Sequence, residues 1–148
     1  MKSHEQVLLD KLRASGLEVI GVAGVVSPPS VGQAWKAVAN FEVTPVAKAP
    51  PAGAGTAQRL NSLWLEHAEE SGVIAEDGSF LVTVVSTGSH EIGWVRVRWT
   101  SDADVSRLVD DQEQVEFIGR SLSGHHLVGV TAEEYDYWVV SLPMAPPT

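Results

Sequence analysis

The side chains best suited by type to proton transfer are two histidines, His90 and His126. An imidazole has an ordinary pKa of about 6.5, so it exchanges protons near neutral pH. One such group in a pocket is enough for general acid–base catalysis. A histidine in or beside a turn more often makes a structural hydrogen bond, and that alternative stays open. We take His90 and His126 as the candidate catalytic residues.

The remaining chemistry-bearing residues do not favour a metal site or a nucleophile. His125-His126 is the only adjacent histidine pair, and neighbouring residues of a strand point to opposite sheet faces. The His-Glu-Xaa-Xaa-His spacing of zinc enzymes is absent. Cysteine is absent, which excludes disulfides and thiolate ligands, and no serine lies in a Gly-Xaa-Ser-Xaa-Gly motif. We therefore expect no metal and no cofactor.

An unusual combination of side chains follows one face of a predicted strand. Trp94, Arg96 and Arg98 alternate along the chain and therefore share a face. Arginine grips carboxylates and phosphates, and an indole supplies stacking area, so this face is a candidate binding surface. The alternative is a half-solvated sheet face whose arginines pair with acidic neighbours.

A second candidate surface is acidic. Residues 102–116 carry six carboxylates and one cation, Arg107. A charge run of this kind is usually a solvated face, but it also suits a basic partner. The residues expected to steer such a partner are Asp102, Asp104, Asp110 and Asp111.

A β-hairpin over residues 79–99 positions the arginine face. β-branched and aromatic residues fill both arms, and Gly88-Ser89 suits a tight II′ turn between them. If Thr87 pairs with His90 across this turn, one face of the hairpin is a core side. That side consists of Phe80, Val82, Val84, Val95, Val97 and Trp99, whereas Leu81, Thr83 and Val85 join the face of Trp94, Arg96 and Arg98.

The remaining elements indicate an α+β fold. Apolar spacing and capping signals predict helices at about 4–15, 31–40, 57–71 and 102–110. The apolar run 17–26 predicts a strand buried on both faces, in which Gly21 and Gly24 mark either a bulge or close packing. Later strands are predicted at 114–119, 125–130 and 135–142. We expect an antiparallel sheet of about five to six strands, with the helices packed mainly on one face.

The chain length fits one domain, predicted over residues 1–142. Residues 44–56 contain three prolines and two glycines, which predicts a flexible loop without regular structure. This loop is either a lid over a site or a mobile surface segment. Residues 143–148 are predicted to form a disordered tail.

Charge narrows the classes of partner. The formal net charge of −9 disfavours nucleic acid and anionic membranes, because their phosphates would be repelled. It suits a basic protein partner. A small anionic ligand on the arginines and a homodimer are further possibilities. With no cysteine and no apolar N-terminal signal, we expect a cytoplasmic protein.

Two functional hypotheses follow. The first is a non-catalytic binding protein, most specifically an acidic inhibitor or immunity-type protein that neutralises a basic protein. The second is a small cofactor-independent enzyme or small-molecule carrier. Its pocket would lie between the sheet and the helices at 31–40 and 57–71, with a histidine as acid or base. The expected lining is Trp35, Trp64 and Trp94.

Overall fold

An antiparallel sheet of seven strands forms the centre of the described chain. The computed structural model describes residues 3–40, 42–50, 53 and 55–144. The strands are β1 (Glu18–Val22), β2 (Ala47–Ala49), β3 (Ser79–Val84), β4 (Val95–Arg98), β5 (Phe117–Arg120), β6 (His126–Ala132) and β7 (Tyr137–Pro143). Their order across the sheet is β1-β4-β3-β5-β6-β7-β2. The predicted fold class is confirmed, with a slightly larger number of strands than expected.

Three of the predicted helices are present, α1 (His4–Ala14), α2 (Val31–Val38) and α3 (Thr56–Ser71). A short helix that was not predicted, α4 (Ser89–Ile92), lies between β3 and β4. Ser3 caps α1, and Ser30 and Gln33 form a reciprocal capping box at the start of α2. Among the described residues, no helix has both the length and the apolar composition needed to cross a bilayer.

Two hydrophobic cores lie on opposite faces of the sheet. Helices α1 and α3 cover the first face, where the indole of Trp64 is fully buried and its Nε1 donates to Val128 O at 2.8 Å. Helix α2 covers part of the second face, against Ile118 and Leu127. The helices therefore pack mainly on one face, and α2 is the exception.

The predicted pairing of the two hairpin strands is confirmed, but the prediction of a tight turn between them is wrong. Phe80 pairs with Val97 and Val82 with Val95, which is the register that pairing Thr87 with His90 implies. However, the strands end at Val84 and begin again at Val95. The residues between them form a longer connection that contains α4, with Gly88 as its N-cap in the left-handed region. This connection forms one wall of the candidate site.

The first strand is an edge strand, so the prediction of burial on both faces is wrong. Ile20 and Val22 of β1 are 47% and 39% exposed. The strand pairs only with β4 within the described chain. The expected irregularity at Gly21 is confirmed, because the register shifts between Val19 and Gly21.

Two segments expected to be irregular contribute strand residues. Ala47–Ala49, inside the predicted 44–56 loop, forms β2 and pairs with β7. Pro51, Ala52 and Ala54 of that loop lie outside the described residues. Pro143 ends β7, and the Met144 N–H donates to His125 O at 2.7 Å. The rest of the predicted tail, 145–148, lies outside the described residues.

The segment predicted as a helix at 102–110 is mostly non-helical. Only Val105–Arg107 forms a helical turn, of the 3₁₀ type. An isolated bridge then joins Val109 to Val115, and Asp110 lies in the turn that this bridge closes. The carboxylates of this segment bind backbone groups of the turn, which competes with helix formation.

Candidate functional site

An open cleft of about 370 Å³ lies at one end of the sheet face that α2 covers. This volume is at the lower end of the range of ligand pockets in proteins. Its floor comes from strand residues, and its walls come from α2 and the connection that contains α4. The lining residues are Trp35, Ala39, Val85, Ser86, Ser89, His90, Glu116, Thr131 and Glu133.

The sheet register explains the floor. Val85 N donates to Glu116 O at 3.1 Å, which continues the β3–β5 pairing by one residue. The β5–β6 register, extended in the same way, places Glu116 opposite Thr131. All three residues have the parity of the face that α2 covers. Because α2 ends at Val38, the cleft opens beside this last row of the sheet.

Glu116 has an unusual carboxyl group. It is half-buried, and burial is the main reason why its pKa is raised to about 7. A hydrogen bond with the Asp110 carboxyl and the negative charges of Asp110 and Glu133 act in the same direction. The Ala132 N–H donates to Glu116 Oε2 at 3.4 Å and acts against the shift. Glu116 is therefore partly protonated at neutral pH.

Asp110 is the ionised partner of Glu116. Burial by itself would raise its pKa, but hydrogen bonds from Glu116, Gln114 N and Gln112 N lower it overall. The two backbone N–H groups lie 3.0 and 2.8 Å from Oδ1. The two carboxyl groups thus divide one proton unequally, and Glu116 holds it.

The floor also contains a hydroxyl without a partner. Thr131 is 5% exposed, and its Oγ1 has no hydrogen-bond partner among the described residues. A buried hydroxyl without a partner costs about 1–3 kcal/mol. Since Thr131 lines the cleft, a ligand bound there is a candidate partner for this hydroxyl, which can both donate and accept.

His90 lies on the opposite wall and is exposed. It faces the beginning of α2, since a Cβ at Gly32 would lie 3.4 Å from His90 Nδ1. It also lines a neighbouring pocket of about 240 Å³. Of the two candidate catalytic histidines, His90 is the one that lines the same cleft as Glu116.

His126 lies elsewhere. Its Nε2 is 2.6 Å from Ser141 Oγ, and burial lowers its pKa. It begins β6, whereas Thr131 is five residues further along the same strand, about 17 Å away at the usual rise per residue. His126 therefore makes a structural hydrogen bond, which is the alternative to catalysis that the sequence left open.

The predicted binding face of the hairpin is divided by the structure. Trp94 is 2% exposed, and its Nε1 donates to Pro29 O at 3.0 Å. It is therefore buried in the second core and is not available as a stacking anchor. Arg98 pairs with Glu18 at 3.1 Å, as the alternative interpretation expected. Arg96 is exposed.

The four carboxylates that were expected to steer a basic partner also have different surroundings. Asp104 caps the 3₁₀ turn, accepting from Ser106 N at 3.1 Å. Asp111 is exposed and accepts from Thr87 Oγ1 at 2.9 Å, and Asp102 is exposed. Asp110 and Asp111 line a hollow of about 310 Å³ that shares Glu116 with the cleft. Asp110 and Asp111 therefore adjoin the cleft.

The prediction of a pocket between the sheet and both helices is wrong, because α2 and α3 lie on opposite faces of the sheet. Trp64 and Trp94, its expected lining, are 0% and 2% exposed. Trp35 does line the observed cleft. Sequence reasoning missed Glu116 and Thr131 as site residues. The available signal was parity, because Glu116 alternates with Ile118 on the face that packs against α2.

No group of three or more potential metal ligands occurs among the described residues. Comparison of the chain with protein-family models, curated proteins and solved structures found no significant match.

Proposed function

We propose that this protein is a non-catalytic binding protein that captures a basic protein partner, and that the partner contacts the cleft around Glu116. The most specific form of the proposal is an inhibitor of the immunity type, which neutralises a basic protein by covering its functional surface. The observation that carries the proposal is the cleft itself. It combines the carboxyl groups of Glu116 and Glu133 with the aromatic wall of Trp35.

The charge distribution supports this proposal. The chain has a net charge of −9, and none of the described cleft-lining residues is lysine or arginine. Asp110 and Asp111 extend the acidic surface into the adjoining hollow. Complementary charge accelerates encounter with a basic surface and suppresses wrong partners. Aromatic side chains such as that of Trp35 are frequent energetic centres of interfaces.

The test compares two double variants that remove the same number of carboxyl groups. Glu116→Gln with Glu133→Gln alters the cleft, and Glu69→Gln with Glu70→Gln alters the exposed side of α3. Fluorescence anisotropy measures the affinity of each for a labelled lysine-rich peptide at low and high salt. We expect the cleft variant to lose about tenfold in affinity, and the control much less. Equal losses would place the interaction outside the cleft.

A small acid–base enzyme or carrier is the second candidate, and the raised pKa of Glu116 is the observation that favours it. A carboxyl with a pKa of about 7 is suited to donate or accept a proton at neutral pH. His90 lines the same cleft. A neutral compound found by thermal-shift screening would be incubated with the protein and followed by NMR. Conversion that stops in Glu116→Gln would favour the enzyme, and an unchanged compound the carrier.

A further inference from the structure

We propose that the cleft is a binding site for one primary ammonium group carried on an apolar chain, held between the Glu116 carboxylate and the Thr131 hydroxyl. This inference rests on the proposed function and names the chemical group that the cleft accepts. The group has two possible sources, a lysine side chain of a partner protein or a free alkylamine.

The arrangement of acceptors in the cleft suits an ammonium group. The β5–β6 register, extended by one residue, makes Glu116 and Thr131 cross-strand neighbours on one sheet face, and the Cβ atoms of such neighbours lie about 4.5–5.5 Å apart. An ammonium group has three donors and no acceptor. It can donate to both side chains at once, with its third N–H directed toward water or Glu133.

The hydroxyl of Thr131 is a feature of the cleft that is independent of its charges. Thr131 lines the cleft, and its Oγ1 is buried and has no hydrogen-bond partner among the described residues. Thr83 Oγ1 is also buried without a partner, but Thr83 is not part of the cleft lining. The two threonines thus form a matched pair, and a bound ammonium satisfies only the hydroxyl of Thr131.

The lining of the cleft does not suit an anion or a divalent cation. An anion would meet Glu116 and Glu133, and among the described lining residues only His90 can carry a positive charge. A divalent cation needs a larger set of ligands, and no such set is present in the described chain. The apolar surfaces of Trp35, Ala39 and Val85 suit the alkyl stem of an amine.

Protonation of Glu116 couples binding to pH. The charged groups near it are Asp110 and Asp111 from the turn before β5, Glu133 after β6 and His90 of α4. Lys11 acts on Asp110 from α1, and the exposed Lys36 of α2 is not in the cleft lining. An alkylammonium stays charged to about pH 10. It binds ionised Glu116, whose pKa is about 7 without ligand, so affinity rises with pH through this region.

The experiment uses calorimetry with three compounds and three variants of the full chain. The compounds are n-butylamine, Nα-acetyl-lysine methylamide and the neutral Nε-acetylated form of the latter. The variants are Thr131→Val, Glu116→Gln and the control Thr83→Val. We expect the two amines to bind and the neutral compound to bind at least about tenfold more weakly. Thr131→Val and Glu116→Gln should each weaken amine binding by about tenfold, and Thr83→Val should leave it unchanged.

The outcomes separate the inference from the proposed function. Equal effects of Thr131→Val and Thr83→Val, or equal binding of the neutral compound, would overturn the ammonium site. Binding of the lysine-rich peptide without binding of either amine would also overturn it, while leaving the proposed function standing. Binding of butylamine but not of lysine-containing compounds would support the ammonium site with a free amine as its source, and would contradict the protein partner.

Discussion

Arg120 and Trp94 donate to the same carbonyl oxygen, that of Pro29, at 3.0 Å each. The guanidinium also lies 5.6 Å from the centre of the Trp94 ring. Arg120 is fully buried and makes further hydrogen bonds to Ser27 O and Leu122 O. This cluster fixes the chain before α2 against the sheet, and it is why Trp94 belongs to a core.

Replacing Arg120 by methionine should destabilise the fold. The change leaves the carbonyls of Ser27 and Leu122 without their donor, which costs about 2–4 kcal/mol in the free energy of unfolding. Urea denaturation followed by tryptophan fluorescence measures the loss. The exposed Arg96→Met is the control and should change stability by less than about 0.5 kcal/mol. Similar losses in both variants would show that the buried hydrogen bonds of Arg120 contribute little.

Two glycine substitutions should have opposite effects. A Cβ at Gly119 would lie 2.6 Å from Cζ2 of the buried Trp64 ring, so Gly119→Ala should cost about 1–3 kcal/mol. At Gly32, in α2, the nearest atom would be His90 Nδ1 at 3.4 Å, an ordinary contact. Gly32→Ala should therefore stabilise the protein by about 0.5–1 kcal/mol through helix propensity. Thermal melting compares the two variants, and a loss of stability in Gly32→Ala would contradict the helix argument.

The register of the hairpin was predictable, but its connection was not. Alternation of apolar residues assigns each arm to a face, and pairing Val82 with Val95 preserves the same parity as pairing Thr87 with His90. Parity is therefore insensitive to where the strands end. The end is decided by α4, which packs against α1 and α2, two elements that are distant from it in sequence. No local pattern contains those contacts.

The site was harder to predict than the fold for a similar reason. The acidic run around Glu116 is locally indistinguishable from a solvated surface. Its meaning depends on α2 packing on the face opposite α3 and ending at Val38, so that the cleft opens beside the last row of the sheet. Trp94 was misjudged because a distant segment at Pro29 covers it. Both outcomes are set by tertiary packing, which a single sequence does not express in its periodicity.

The contribution of Glu116 to the stability of the protein should fall as pH rises from about 4.5 to about 7. The pKa of Glu116 rises from 4.5 to about 7 on folding, so in this range the folded state binds more protons than the unfolded state. The stability that the proton contributes is complete below pH 4.5 and is lost through pH 7. Since Glu116 is half-exposed, solvent screening reduces the effect to about 1–2 kcal/mol. The pKa of Asp110 is lowered, so its own contribution changes only at lower pH.

Urea denaturation at several pH values tests this prediction against Glu116→Gln. Glutamine keeps the size and polarity of the side chain but does not titrate, so the variant should lose this part of the pH dependence. Glu69→Gln, on an exposed position of α3, should retain the slope of the unmodified protein. If Glu116→Gln and Glu69→Gln show the same slope, the pKa of Glu116 is not raised in the folded protein.

Thr83 and Thr131 should both tolerate replacement by valine. Thr83 and Thr131 are 0% and 5% exposed, and both hydroxyl groups are buried without a partner in the described chain. Valine has nearly the same shape and needs no hydrogen bond, so each Thr→Val change should be neutral or should stabilise the protein by up to about 1 kcal/mol. Thermal melting in the absence of ligand measures both. A loss of more than about 1 kcal/mol at either position would mean that its hydroxyl is hydrogen-bonded in the folded protein. At Thr131, such a loss would remove the orphan acceptor on which the ammonium site depends.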